Sequence, residues 1–306
     1  MADKSSRTFA ETDARIAEGI IKSIDDAVAR GVKWVPGWDR TAGFPSNPTT
    51  KRAYGGSYNG FILLVMSSQW GDNRWAGFGQ WKKAGNAPRK GERGTSIFFP
   101  RFKCAKCNKH AGFAKKCGGC GTVFSKRADK VCYGFGESKV FNNLQGSKPL
   151  PPVGEIADVD PAVGFEKAAA LVAKAGADVR HGGTRAAYLP TDDYITLPEP
   201  GAFTDSAAYW ATSMHEHAHW TGAASRLNRP GITDFNGFGS PEYAYEELVA
   251  EISASFLCKH TGVTREGMDD NHAAYLASWR KALSDDPAII RRAVGEAGQV
   301  LRFLTK

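Results

Sequence analysis

The chain has 306 residues, 42% hydrophobic and 24% charged, which describes an ordinary globular protein long enough for two cored domains. No apolar run approaches membrane-spanning length, Phe61–Met66 being much too short, and the N-terminus carries charges where a secretory signal would need an apolar core, so a cytoplasmic protein with no membrane partner is expected. The net charge of +8 conceals a division: residues 1–150 hold 26 Lys and Arg against 11 Asp and Glu, residues 151–306 hold 14 against 21, so one half suits a polyanion and the other does not.

Periodicity predicts a first helix over about 9–30, where Ile16, Ile20, Ile24 and Val28 recur every four residues and Gly31 closes it. A Trp-, Pro- and Gly-rich segment from Trp34 to Pro48 follows and cannot be regular structure. Lys51–Gly60 then leads into an apolar helix at about 60–70, and a shorter helical piece spans Phe78–Lys83. Arg89–Gly94 is a basic turn feeding a strand over Thr95–Phe102.

Aromatic residues and cations alternate throughout this half, which holds five of the eight tryptophans. Single-stranded nucleic acid is bound by that combination, cations tracking phosphates while bases stack on rings at about 1–3 kcal/mol each. The candidate contacts are Trp34, Trp38, Lys51, Arg52, Tyr54, Tyr58, Asn59, Trp81, Lys82, Lys83, Arg89, Lys90 and Arg93. Each tryptophan taken singly, Trp34, Trp38, Trp70, Trp75 or Trp81, suits a core better than a base. The aggregate, with its excess of positive charge, favours nucleic acid.

The run Trp34-Val-Pro-Gly-Trp38, Pro45-Ser-Asn47-Pro, Tyr54-Gly-Gly56, Asn59-Gly60, Gln80-Trp81 and Arg89-Lys90-Gly91-Glu92-Arg93-Gly94, closed by Val140-Phe141-Asn142 and Gln145, resembles the N-terminal domain of ArdC-type antirestriction proteins. The resemblance implies binding of single-stranded DNA, and related regions occur in plasmid conjugation primases. It departs from the family between Cys104 and about Lys130, which looks inserted. Cys104 and Cys107, then Cys117 and Cys120, form two C-x-x-C knuckles nine residues apart, the spacing of a closed four-thiolate zinc site. Disulfides are not expected in a reducing cytoplasm. Lys103, Lys106, Lys109, Lys115, Lys116, Lys126 and Arg127 surround the knuckles and could extend a DNA surface; Cys132 and Cys258 are expected to be ordinary buried residues.

Lys148–Asp160, with Pro149, Pro151 and Pro152, reads as an interdomain linker. A helix at about 164–175 follows, then strands near 186–189 and 194–197, the latter expected as a sheet edge on which an extended substrate could add.

Next comes His215-Glu216-His217-Ala218-His219, an H-E-x-x-H signature. On a helix, His215 and His219 lie on one face and can grip a Zn²⁺, Glu216 is the base for a water, and His217 points away. With 7 His and 14 Glu in the chain, a chance match is expected in under ~1% of such sequences. Thr204 or Asp205 supplies an N-cap and Gly222 a stop.

A third ligand is needed, and the metzincin pattern fails because position 225 is Ser. A carboxylate from a later helix, opened by Ser240-Pro241, is the alternative. Glu247 and Glu251 share a face there, with Glu246 turned about 100°. Glu247 is taken as the ligand and Glu251 as the acceptor orienting a histidine, with Glu246 the fallback.

Ile195-Thr-Leu-Pro198, His215-Glu216-x-x-His219-Trp220-Thr-Gly222, Arg226-Leu227, Phe238-Gly239-Ser240, Glu246–Glu251 and His272-Ala-Ala-Tyr275-x-x-Ser278-Trp279 resemble the C-terminal metallopeptidase domain of the same family, akin to ImmA/IrrE peptidases with an H-E-x-x-H-plus-Glu set. The resemblance places His272 or Tyr275 as donors to an oxyanion. Asp286-Pro287 caps a last amphipathic helix.

The expected fold is α+β in two domains: residues 1–147 bind single-stranded DNA and carry the inserted knuckle at 104–120, residues 148–160 link, and residues 161–306 form a mostly helical zincin-like domain with a small sheet. Two zinc ions are expected, one of catalytic type and one structural. The expected function is a single-stranded-DNA-binding antirestriction-like protein of a plasmid or phage with a zinc metallopeptidase domain and a possible protein substrate. The alternatives are a regulatory protease cleaving a repressor or restriction subunit, or a DNA-binding protein with an inactive zincin fold.

Overall fold

Ile16, Ile20 and Ile24 set the architecture, because the stripe they form on helix α1 (Lys4–Ala29) is buried against residues from both ends of the chain. Val28, next in the series, is 68% exposed, so the stripe ends at Ile24. The computed structural model describes residues 4–29, 43–67, 70–112, 114–151, 161–234, 240–263 and 273–306. Trp34, Trp38, His272, Gly31, Phe238, Gly239 and residues 152–160 of the expected linker lie outside them.

In the first half, a two-residue pair β1 (Ser46–Asn47) and β2 (Arg52–Ala53) precedes α2 (Tyr58–Ser67). Helix α2 is apolar nearly all round, as a buried helix must be. Strand β3 (Trp75–Gly77), helix α3 (Phe78–Lys83), and the long strands β4 (Thr95–Cys104) and β5 (Lys130–Asn142) complete this half. The sheet order is β3-β5-β4, antiparallel throughout. The β4–β5 ribbon runs in register from Thr95↔Val140 to Cys104↔Lys130, with an irregularity at Arg101/Phe102.

The second half begins with α4 (Pro161–Ala175) and a sheet of β6 (Asp178–His181), β7 (Ala187–Leu189) and β8 (Tyr194–Leu197). Its order is β6-β8-β7, so β8 is the central strand and β7 an edge, contrary to the sequence expectation. Strand β6 carries little apolar alternation, which is why pattern alone does not announce it. Helices α5 (Ser206–Trp220), α6 (Pro230–Thr233), α7 (Pro241–Thr261), α8 (Ala273–Asp285) and α9 (Ile289–Leu304) follow.

One apolar cluster joins the halves: Ile16, Ile20 and Ile24 of α1, Phe61 and Ile62 of α2 and Phe98 of β4 meet Leu248, Ile252 and Phe256 of α7, Trp279 of α8 and Val294 of α9. At its rim two glycines permit backbone contact. A Cβ on Gly298 would stand 2.6 Å from the Gly56 carbonyl oxygen, and one on Gly56 would stand 2.6 Å from Leu301 Cδ2. Tyr58 donates to Asp13, which also accepts from Arg291 Nε at 3.1 Å, adding a polar tie between α1, α2 and α9. A second cluster packs Leu171, Ile195, Leu197, Met214, Ala218 and Leu257. Among the described residues no helix is long and apolar enough to cross a membrane.

Candidate metal centre and nucleic-acid interface

Helix α5 starts where Asp205 accepts from Ala208 N–H at 2.7 Å, and α7 where the Ser240 hydroxyl accepts from Tyr243 N–H at 3.1 Å. These starts bring the histidine face of α5 against the glutamates of α7. Glu246, Glu247 and Glu251 are all buried, and a buried carboxylate without partners is costly, so each must be answered.

Part of the answer comes from the two imidazoles. His219 Nδ1 is 3.1 Å from Glu246 Oε1, and His215 Nδ1 is 3.5 Å from Glu251 Oε2. Those acceptors assign the ring protons to Nδ1 and leave both Nε2 lone pairs facing each other, 3.1 Å apart. Glu247 closes the triangle, with Oε2 3.4 Å from His215 Nε2 and Oε1 3.6 Å from His219 Nε2. Tetrahedral ligands at zinc bond lengths stand about 3.3 Å from one another. The donor set therefore fits a divalent metal in both chemistry and spacing.

Charge reinforces the fit. Burial disfavours a charged His215, yet hydrogen bonds to Glu247 and Glu251 outweigh it and push its pKa up to about 10. Burial would raise Glu247, but the charges of His219 and His215 bring it down to about 2. These carboxylates hold a second proton on His215 when no metal competes for it, and a divalent ion bound there would displace that proton and take up the same negative charge.

Glu216 Oε2 accepts from the Tyr188 N–H at 2.8 Å, fixing the carboxylate against the outer edge of β7. His217 faces elsewhere: it is fully buried, its Nδ1 donates to Ser213 O at 2.7 Å, and burial lowers its pKa to about 4. Tyr275 falls in the first turn of α8.

Arg229 escapes a reading of the sequence. Its Nε and Nη2 donate to Glu246 Oε2 and Oε1 at 2.9 and 2.6 Å, its Nη1 to Thr221 Oγ1 at 2.8 Å, and its Nη2 also to Ala218 O at 2.6 Å. Gly222 makes room, since a Cβ there would stand 2.9 Å from Arg229 Nη2. Glu246 thus lies against Nδ1 of His219, away from the Nε2 pair. A buried glutamate signals the need for a cation, but nothing in the spacing says which one.

At the tip of the β4–β5 ribbon the four cysteines converge, with Cys104 Sγ 3.7 Å from Cys120 Sγ and Cys107 Sγ 3.5 Å from Cys117 Sγ. Zinc–sulfur bonds of about 2.3 Å in a tetrahedron give sulfur–sulfur distances near 3.8 Å, far longer than a disulfide. Each knuckle closes by the same turn: Asn108 N–H donates to Cys104 O, and Gly121 N–H to Cys117 O. Thr122 hydrogen bonds bring the Cys120 thiol down to about 6. Cys258 is buried; Cys132, expected to be buried, is exposed.

The predicted DNA contacts divide. Trp81 is fully buried and its Nε1–H donates to Phe141 O at 2.8 Å, so it offers no face to a base. Asn59 clamps the Phe98 backbone through both side-chain atoms, at 2.6 and 2.8 Å. Tyr54 donates to Trp75 O at 3.3 Å, and Tyr58 to Asp13. Arg89 binds Glu92 at 2.8 Å and the carbonyls of Leu144 and Gly146 at 2.9 and 3.1 Å.

Lys51, Arg52, Lys82, Lys83, Lys90 and Arg93 are exposed. The fold gathers them at one end of the sheet. Gly77 and Thr95 both pair with Val140, so α3 begins and the basic turn ends at one register, Arg89 reaches the carbonyls of Leu144 and Gly146 just beyond β5, and Asn47 Nδ2 donates to Gln80 Oε1 at 3.0 Å and ties in the β1–β2 pair. Phe78 stands there too, 52% exposed and edge-on to Phe141, an aromatic that the sequence reading passed over in favour of tryptophans.

Residues 166–296 match the family described as zincin-like metallopeptidase, and residues 10–123 match the N-terminal domain of anti-restriction factor ArdC. Two Escherichia coli proteins named DNA primase TraC are 34% and 36% identical over 95% and 93% of the chain. The chain spans only 26% and 19% of their length. An uncharacterized Sinorhizobium fredii protein, y4eC, is 31% identical over 85% of this chain and 80% of its own. The metal-free crystal structure of antirestriction ArdC from plasmid R388 is 28% identical with a TM-score of 0.65, covering 96% of each chain. Its Mn(II)-bound form is 30% identical with a TM-score of 0.62, covering 94% of this chain and 96% of that one.

Proposed function

As the chain belongs to the ArdC antirestriction family, we propose that it is a single-stranded-DNA-binding antirestriction protein of a plasmid or phage, working in the cytoplasm. The supporting observation is that Lys51, Arg52, Lys82, Lys83, Lys90, Arg93 and Phe78 are all exposed on segments tied to the same end of the sheet. Cations there track phosphates, and a ring with a free face accepts a base whatever the sequence. Anisotropy with labelled oligo(dT) tests this. Binding weakens as salt rises, and the combined Lys82→Gln, Lys83→Gln, Arg93→Gln variant loses about two from the log–log salt slope. Equal affinity for a duplex of the same length would refute a single-strand role.

A second activity, a zinc metallopeptidase, is favoured by the convergence of His215 Nε2, His219 Nε2 and the Glu247 carboxylate. A zinc ion bound there would polarise a peptide carbonyl and make a water more acidic. With a metal bound, His215 and His219 would present neutral Nε2 atoms, their Nδ1–H groups donating to Glu251 and Glu246. Glu216, one oxygen fixed by Tyr188 N–H, uses Oε1 to take a proton from water. The outward N–H of edge strand β7 at Tyr188 is thereby spent, which limits how an extended substrate pairs with it. Tyr275 and His272 are proposed as oxyanion donors on their family-like placement. A second zinc closes the four-cysteine knuckle as a structural ion. The protein substrate fits a repressor or restriction subunit acting on the incoming DNA. Unchanged protection of such DNA by Glu216→Ala would leave an inactive zincin fold beside a DNA-binding half.

A further inference from the structure

Apart from its four-cysteine site, the outer half of the β4–β5 ribbon has no part in the sites above, yet it concentrates the charge of the molecule. Residues 101–130 contain nine Lys and Arg and one acidic residue, an excess of eight that equals the net +8 of all 306 residues. The single acid, Asp129, is occupied by the backbone N–H groups of Ser125 and Lys126 at 2.8 and 2.7 Å. Arg101, Lys106, Lys109, Lys115, Lys116 and Lys126 are exposed. Four thiolates closing on a divalent ion would remove about two of these charges, leaving a strongly basic tip.

Rings accompany the cations. Phe99 is 37% exposed and Tyr133 49%. Phe99 lies across Gly136 on the neighbouring strand: a Cβ there would stand 2.5 Å from the Phe99 ring and 3.0 Å from Arg101 Nε. The missing side chain lets an aromatic ring and a guanidinium lie side by side over the buried Gly136 backbone. A hydrophobic protein partner would not call for nine cations; a polyanion with stackable bases matches both features.

We propose that the outer ribbon and its four-cysteine tip form a second segment of the single-strand track, continuous with the basic cluster at the other sheet end. The inference rests on the DNA-binding reading above. The ten residues of β4 separate the two ends by roughly 30 Å, about nine stacked nucleotides at 3.4 Å each. A strand of about six nucleotides satisfies one end; one of about twenty engages both, so affinity climbs steeply with length.

The test uses the full chain and oligo(dT) of about 6 and about 20 nucleotides in anisotropy titrations across a salt series. The combined Lys106→Gln, Lys115→Gln, Lys116→Gln, Lys126→Gln variant touches no cysteine, and unchanged knuckle metal content verifies its fold. It is expected to abolish most of the length dependence and to lower the salt slope for the long strand by about three. Phe99→Ala is expected to weaken the long strand about 5- to 100-fold. If wild-type protein binds and the lysine variant keeps the full length dependence, this proposal fails while the DNA-binding reading stands. Equal weakening on duplex with no effect of Phe99→Ala would make the tip a general polyanion surface and also overturn it. If wild-type protein binds neither strand at low salt, the underlying DNA-binding reading fails and this proposal with it.

Discussion

Arg229 grips both carboxylate oxygens of Glu246, at 2.6 and 2.9 Å, deep behind the paired histidines. The same Glu246 oxygen that receives Arg229 Nη2 lies 3.1 Å from His219 Nδ1, so one carboxylate fixes the imidazole and is itself fixed. Glu246 is held below the usual carboxylate range, because hydrogen bonds to Arg229 and His219 outweigh the cost of its burial.

Removing the cation should therefore be severe. Arg229→Met leaves a buried charge without its partner, and is expected to cost about 3–5 kcal/mol in urea unfolding. Glu246→Gln keeps the shape but loosens His219, and should weaken metal binding about 10–100-fold by competition titration. Affinity equal to wild type would show that Glu246 does not orient the ring.

The shared core makes a different prediction. Because a Cβ on Gly298 would stand 2.6 Å from the Gly56 carbonyl oxygen, Gly298→Ala must push α9 away from the loop before α2. A cost of about 1–3 kcal/mol is expected. The loss should appear in one unfolding transition followed by probes in either half, since the Ile16 to Val294 cluster spans both. Two separate transitions, one insensitive to the variant, would contradict a common core.

An acid-sensitive tie lies far from the histidines. Burial works to raise Asp72, but hydrogen bonds from Arg74 and Asn143 prevail and hold its pKa below the ordinary 3.8. A depressed folded value means that the stabilisation is fully present above pH 3.8 and is lost as the pH falls through the lower folded value. Asp72→Asn is expected to cost about 1.5–3 kcal/mol at neutral pH and to flatten the acid limb of the stability curve. An unchanged acid limb would show that this pair does not set it.

The legible parts of this protein were local ones. His215 and His219 follow from helix geometry alone, and so does the common face of Glu247 and Glu251. The two knuckles are equally local, since each closes within five residues. Arg229 was illegible because it reaches Glu246 from a loop across the fold, and no periodicity carries that information. Trp81 was misread because a large ring beside Lys82 and Lys83 looks the same in sequence whether it faces a base or the core. The central place of β8 depended on β6, a polar strand with a parallel partner and little pattern of its own. The sequence also could not show that α1 would pack on α7, α8 and α9, a tertiary choice made by Ile16, Ile20 and Ile24 together.

The most direct measurement is elemental analysis of the purified chain and two variants. A histidine–glutamate cage and a four-cysteine knuckle that each hold one ion predict two zinc or equivalent divalent ions per wild-type chain, one in His219→Ala and one in Cys117→Ser. A wild-type chain that binds one ion or none, or a His219→Ala variant that keeps both, would contradict the two-site account.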